Sequence, residues 1–167
     1  QTTGEIHSLA VNTTQNESTQ IAVIANQIDS ILEPETRELN LHSLREAGAE
    51  PYLIPLGVDL RLSHSQKMQF RSMITETLDG IVAVGGADLA PSTYGESVTE
   101  AQNFNEARDR SEIALVRDYL TPDRGACFGI CRGHQLMGVA MGYKLLQDIP
   151  TELPRNRVLH RNSMHTI

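Results

Sequence analysis

The sequence predicts an α/β fold, an open and mostly parallel sheet with helices on both faces. Three observations carry this. Short, continuously apolar runs recur, as in strands buried on both sides. Segments with helical spacing separate them, so strand and helix alternate along the chain. One strand-to-helix junction reads Gly129-Ile130-Cys131-Arg132-Gly133, a turn that such sheets use to present a nucleophile.

The 167 residues suit one domain with a real core. Hydrophobic residues make up 40% and charged residues 21%, a globular balance. The net charge of −7 argues against a nucleic-acid or anionic-membrane surface. No apolar run approaches the roughly 18 residues of a membrane helix. Cys127 and Cys131 sit too close around the turn to be bridged without distorting it, so both are expected as free thiols.

Residues 1–19 are rich in Thr, Asn, Gln and Ser and read as a flexible polar tail, leaving 20–167 as the domain. The sequons Asn12-Thr13-Thr14 and Asn16-Glu17-Ser18 in that tail are of the kind that arises by chance. The chain starts at Gln1. A cytoplasmic location is expected, with export after removal of a signal peptide ahead of Gln1 as the alternative.

Ile21-Ala22-Val23-Ile24-Ala25 is the first strand. A loop follows over 26–34, then a helix over 36–47 with Leu39, Leu41, Leu44 and Ala47 toward one side and Gly48 as its stop. Pro51-Tyr52-Leu53-Ile54-Pro55 is the second strand. The next helix spans 65–78, with Met68, Phe70, Met73, Ile74 and Leu78 apolar. Asp79-Gly80 turns into the third strand, Ile81-Val82-Ala83-Val84, which ends at Gly85-Gly86. A long loop over 87–102 leads to a helix over 105–120. The fourth strand, 126–130, enters the Cys131 turn. The helix beyond reaches Met141, and 143–147 reads as a further short strand. Residues 148–167 show no period.

The chemistry is legible at the turn. Glycines two residues either side of Cys131 allow a backbone so tight that side chains there would clash. The helix N-terminus favours a thiolate, and the N–H after the nucleophile can bind an oxyanion. Ligands of such sheets bind at the carboxyl ends of the strands, so Gly85-Gly86 and Cys131 should share one crevice.

Three segments then resemble class I glutamine amidotransferase domains, and more narrowly the gamma-glutamyl-GABA hydrolases and gamma-glutamyl peptidases. They are Gly85-Gly86-Ala87-Asp88-Leu89-Ala90-Pro91 with Tyr94-Gly95, then Arg108-Asp109 with Glu112, then Gly129 to Gln135 continuing to Leu145-Leu146-Gln147-Asp148. The resemblance covers about Ile21 to the end. It implies a flavodoxin-like domain that hydrolyses a gamma-glutamyl amide through a thioester on Cys131, without a cofactor or metal. The backbone N–H groups of Gly86 and Arg132 would hold the oxyanion. Gly85, Gln135, Asp88, Tyr94 and His165 would line the substrate pocket, with Gln135 equally readable as a helix-surface glutamine and His165 as structural.

The resemblance also implies a base, a histidine and glutamate two residues apart and well downstream of the cysteine. No His-x-Glu follows Cys131 here, so the domain reads as truncated after the turn helix. Three readings stay open: the rest of the domain or a second chain supplies the base; the chain is an inactive amidotransferase-like binding or scaffold module; or a local histidine, His134, substitutes, while His160 and His165 are expected to shape the pocket or be structural. A glutaminase feeding ammonia to a synthase is a further alternative. Expected partners are a small gamma-glutamyl substrate and a polypeptide covering the apolar edge left open, whether a second chain or another copy.

Several side chains have two readings at this stage. Arg132 could recognise a substrate carboxylate or pair with Asp109 or Glu112. Asp88 and Tyr94 could line the pocket or fix their loop. Cys127, inside the strand, is expected to be an inert thiol.

Overall fold

The computed structural model describes residues 18–25, 34–55, 62–122 and 124–153. Residues 1–17 of the expected tail, residues 26–33, His160 and His165 lie outside these residues, and Thr19 of the expected tail belongs to the first strand.

Among the described residues, four strands form one parallel sheet: β1 (Thr19–Ala25), β2 (Ala49–Pro55), β3 (Gly80–Ala83) and β4 (Ala126–Gly129), in the order β2-β1-β3-β4. Parallel neighbours need crossovers. These are α1 (Pro34–Glu46), α2 (His64–Thr77) and α3 (Glu106–Tyr119), with α4 (Arg132–Ala140) leaving β4. This is a flavodoxin-like α/β arrangement. The strand order reverses between β1 and β3, which puts a crevice at their carboxyl ends.

The sheet has two differently covered faces. Ala22, Ile24, Ile81 and Ala83 pack with Ile74 and Leu78 of α2, Ile113, Val116 and Tyr119 of α3, and Leu136, Val139 and Ala140 of α4. Ile21, Val23, Val82 and Val84 pack with Leu41 of α1. The helix starts follow from sequence. Ser63 and Gln66 form a reciprocal capping box on α2, and Asn105 accepts from the Arg108 N–H to start α3.

Two expectations need correction, and two helices bury only part of their apolar residues. β4 is not buried on both sides: among the described residues it lies at one edge of the sheet, with Phe128 63% exposed. Residues 143–147 form no strand, because their polar groups go to the loop after β3 instead: Lys144 pairs with Glu96, and Gln147 binds the backbone of 97–101. Met68 and Met73 face outward, because the buried stripe of α2 runs from the half-buried Phe70 through Ile74 to Leu78. Of the apolar residues read onto α1, Leu41 is buried and Leu44 half-buried, while Leu39 and, past the helix end, Ala47 are exposed. A short helix α5 (Ile149–Glu152) follows, started by Asp148, whose carboxylate accepts from the Thr151 N–H. Its signal was the Asp148-Ile149-Pro150 start, a capping residue with proline just inside.

Candidate active site

Cys131 caps α4 at φ 53° and ψ −111°, a backbone conformation that a residue with a side chain adopts only under strain. The glycines around it explain how the turn closes. A Cβ on Gly129 would stand 2.5 Å from the Gly133 carbonyl and the His134 nitrogen. A Cβ on Gly133 would stand 1.9 Å from the Ala83 oxygen on β3. With both positions bare, α4 sits directly against the β3 backbone, and the Ile130 N–H donates to the Ala83 oxygen at 2.8 Å. The Cys131 thiol is left exposed.

The two strand ends meet. A Cβ built on Gly85 would lie 3.7 Å from the Cys131 Cβ. Standard bond lengths then put the Gly86 nitrogen within about 8 Å of that Cβ. Gly86 itself is exposed.

Beneath this pair lies a buried set of four charges. Arg108, Asp109, Glu112 and Arg132 are each at most 5% exposed. The Arg132 guanidinium forks, donating from Nη2 to Asp109 Oδ1 and from Nη1 to Glu112 Oε2. Arg108 Nε donates to Glu112 Oε1 at 2.8 Å. Asp109 Oδ2 accepts from the Ala90 N–H at 2.9 Å. Two positive and two negative groups balance, which is how such burial becomes tolerable. Burial pushes the Asp109 carboxyl up, opposed by the Ala90 N–H and the Arg132 guanidinium. Arg132 Nε stays buried without a hydrogen-bond partner among the described residues.

Of the two readings of Arg132, the structure gives pairing with both acids. The Arg108-Asp109 and Glu112 segment was visible as polar spacing on one helix face. That it is buried was not legible, because nothing local marks which face of α3 meets the turn.

The loop after Gly86 is tied down. Asp88 Oδ2 accepts from the Gln102 N–H at 2.8 Å, and Tyr94 is buried, with its phenol pushed up by burial first and by the nearby Asp88 carboxylate next. Gln147 Oε1 accepts from the N–H groups of Thr99, Glu100 and Ala101. Sequence reading missed this role of Gln147. His134 and Gln135 are exposed on α4. Cys127 is half-buried, and burial pushes its thiol up to about 11. Both cysteines are free. No cluster of metal-ligating side chains and no helix long and apolar enough to cross a membrane occurs among the described residues.

"Putative glutamine amidotransferase Rv2859c" of Mycobacterium tuberculosis is 37% identical over 101 residues, 56% of this chain and 32% of that protein. "Putative glutamine amidotransferase-like protein YvdE" of Lactococcus lactis is 38% identical over 73 residues, 43% of this chain and 30% of the relative. "Protein NtpR" of Enterococcus hirae is 27% identical over 121 residues, 72% of this chain and 46% of the relative. The matched stretches thus span between about a third and a half of these curated relatives. Residues 21–166 match the family described as Peptidase C26, and the chain belongs to that family, whose fold is of the class I glutamine amidotransferase-like type.

Proposed function

We propose that this chain carries the nucleophile of a cysteine hydrolase that cleaves gamma-glutamyl amide bonds through a thioester. The observation that carries the reading is the strained, exposed Cys131 at the start of α4, beside the Gly85-Gly86 strand end. The Cys131 sulfur attacks the amide carbon, and its C–S bond forms as the carbonyl oxygen becomes an oxyanion. The N–H groups of Gly86 and Arg132 are the donors assigned to that oxyanion. Each such donor supplies about 2.7–4 kcal/mol in comparable sites. Collapse expels the amine, and water then cleaves the thioester. A His-Glu base from outside this chain takes the thiol proton and returns it to the leaving amine. Gly85, Gln135, Asp88, Tyr94 and His165 remain the assigned pocket residues, with Asp88 and Tyr94 acting by fixing the loop. No cofactor enters this scheme.

Trapping the thioester tests this. The chain, together with the polypeptide that supplies the base, is mixed with gamma-glutamyl-p-nitroanilide, quenched in acid and mapped by mass spectrometry. A glutamyl adduct on Cys131, absent from Cys127 and from Cys131→Ser, is the expected result. No adduct under conditions where iodoacetamide alkylates Cys131 sinks the reading and favours a non-catalytic module. The names of two relatives contain "glutamine amidotransferase". An adduct from glutamine but not from the anilide would favour a glutaminase instead.

We also infer that a further polypeptide, the rest of the domain or a second chain, lies against β4. Its support is the edge position of β4, with Phe128 63% and Ile130 37% exposed. Gel filtration checks this; a well-behaved monomer of the chain alone refutes it. The free thiols suit a reducing compartment, and the cytoplasm is the proposed location.

A further inference from the structure

The sheet does not by itself set the distance between the two assigned oxyanion donors. The β3–β4 ladder ends at the Ala83–Gly129 pair and the Ile130 N–H bond to Ala83. Past that point Val84 turns its N–H to Ile24 on β1, and β4 enters its turn. Gly86 and Arg132 therefore lie beyond the hydrogen bonds that hold the strands in register.

Side chains of α3 take over. One oxygen of Asp109 receives the Arg132 guanidinium, on the residue that follows the nucleophile. Its other oxygen receives the Ala90 N–H, four residues after Gly86. Glu112 holds the same guanidinium and the Arg108 side chain. Those two arginines form the surface on which Gly86 rests: a Cβ there would meet Arg132 Cδ at 3.1 Å and Arg108 Nη2 at 3.3 Å. A bridge kept for stability alone would tend to satisfy every donor, yet Arg132 Nε has no partner among the described residues. The network spends a donor to keep the fork aimed at two acids at once.

We propose that Asp109 is a positioning residue that sets the spacing of the Gly86 and Arg132 amides by holding the Cys131 turn and the loop after β3 on one carboxylate. This rests on the hydrolase reading above. Asp109 touches neither the substrate nor the thiol in this scheme. Its loss should impair only steps that develop an oxyanion, since a displacement near 1 Å can cost on the order of 100-fold there.

The test compares two reactions of the same sulfur. A gamma-glutamyl aldehyde adds to Cys131 as a thiohemiacetal, whose oxygen occupies the donor site. Iodoacetamide alkylates Cys131 without forming an oxyanion. In Asp109→Asn the aldehyde should bind about 10- to 100-fold more weakly, while the alkylation rate stays within about threefold. Asp118→Asn, which removes the remote Arg71 pair, should change neither. Circular dichroism establishes that each variant is folded. Should Asp109→Asn not fold, Arg132→Lys carries the same test, because it keeps the charge and the backbone N–H but loses the fork. Equal losses in both reactions, or unchanged aldehyde binding in a folded variant, overturn the proposal. A wild-type protein that is alkylated but does not take the aldehyde overturns the hydrolase reading itself, and the proposal with it.

Discussion

Replacing Gly133 with alanine tests the packing that builds the turn. The added methyl would stand 1.9 Å from the Ala83 oxygen and 2.5 Å from the Ala83 carbonyl carbon. Real Cβ atoms essentially never come within 3.0 Å of such atoms, so α4 and β3 must separate by about 1.1 Å. The obstacle is backbone, so no rotamer change can absorb it. The Ile130 N–H bond to Ala83 is lost or stretched, and Leu136, Val139 and Ala140 lift from the core. Overpacking usually costs about 1–3 kcal/mol, and a rigid obstacle puts this case at about 3 or above. That is a large part of the roughly 5–15 kcal/mol that holds a domain folded. The control lies on the same helix. A Cβ on Gly138 would meet nothing within 4 Å, so Gly138→Ala should stabilise by about 0.5–1 kcal/mol through helix propensity. Urea unfolding followed by far-ultraviolet circular dichroism reads both. The same chemical change on one helix should differ in sign by roughly 4 kcal/mol between the sites. Two variants within about 1 kcal/mol of each other would refute the packing argument.

Other outcomes follow from the same contacts. Cys131→Gly should raise stability by about 0.5–2 kcal/mol, because glycine adopts φ 53° and ψ −111° without strain. Cys131→Ala keeps the strain and should not; equal melting temperatures for the two would count against a strained turn. Tyr119 gives a pH dependence. Its buried hydroxyl shares its one proton between the Ile74 and Leu78 oxygens, and its pKa is pushed up to about 12, by burial first and Asp79 next. The folded state holds this proton longer than the unfolded one. Its contribution is full below about pH 10 and is lost as pH rises toward 12, at up to about 1.4 kcal/mol per pH unit. Tyr119→Phe should cost about 1 kcal/mol at neutral pH and remove that slope. A wild-type-minus-variant difference that stays constant from pH 10 to 12 speaks against the assignment.

The alternation of strand and helix and the identity of the turn were legible before any coordinates, because each is written within a few consecutive residues. Ile81-Val82-Ala83-Val84 can only be a short buried segment, and glycines two residues either side of Cys131 leave one tight way to turn. Residues 143–147 misled for the opposite reason. Leu145 and Leu146 suit a strand, but Lys144 and Gln147 find partners in the loop after β3, some 46 to 50 residues away in sequence.

What the chain alone determined is local: backbone room at glycines, apolar runs, and a cysteine at the start of a helix. Only the tertiary structure decided which charges go inside. Arg108, Asp109, Glu112 and Arg132 form ordinary polar spacing on paper, and they become a buried, mutually paired set only because α3 lies against the turn and the Gly85-Gly86 strand end together. The exposed face of Phe128 was decided in the same way, by which neighbours the sheet order brings to β4. Burial depends on what arrives from distant sequence, and no short window carries that information.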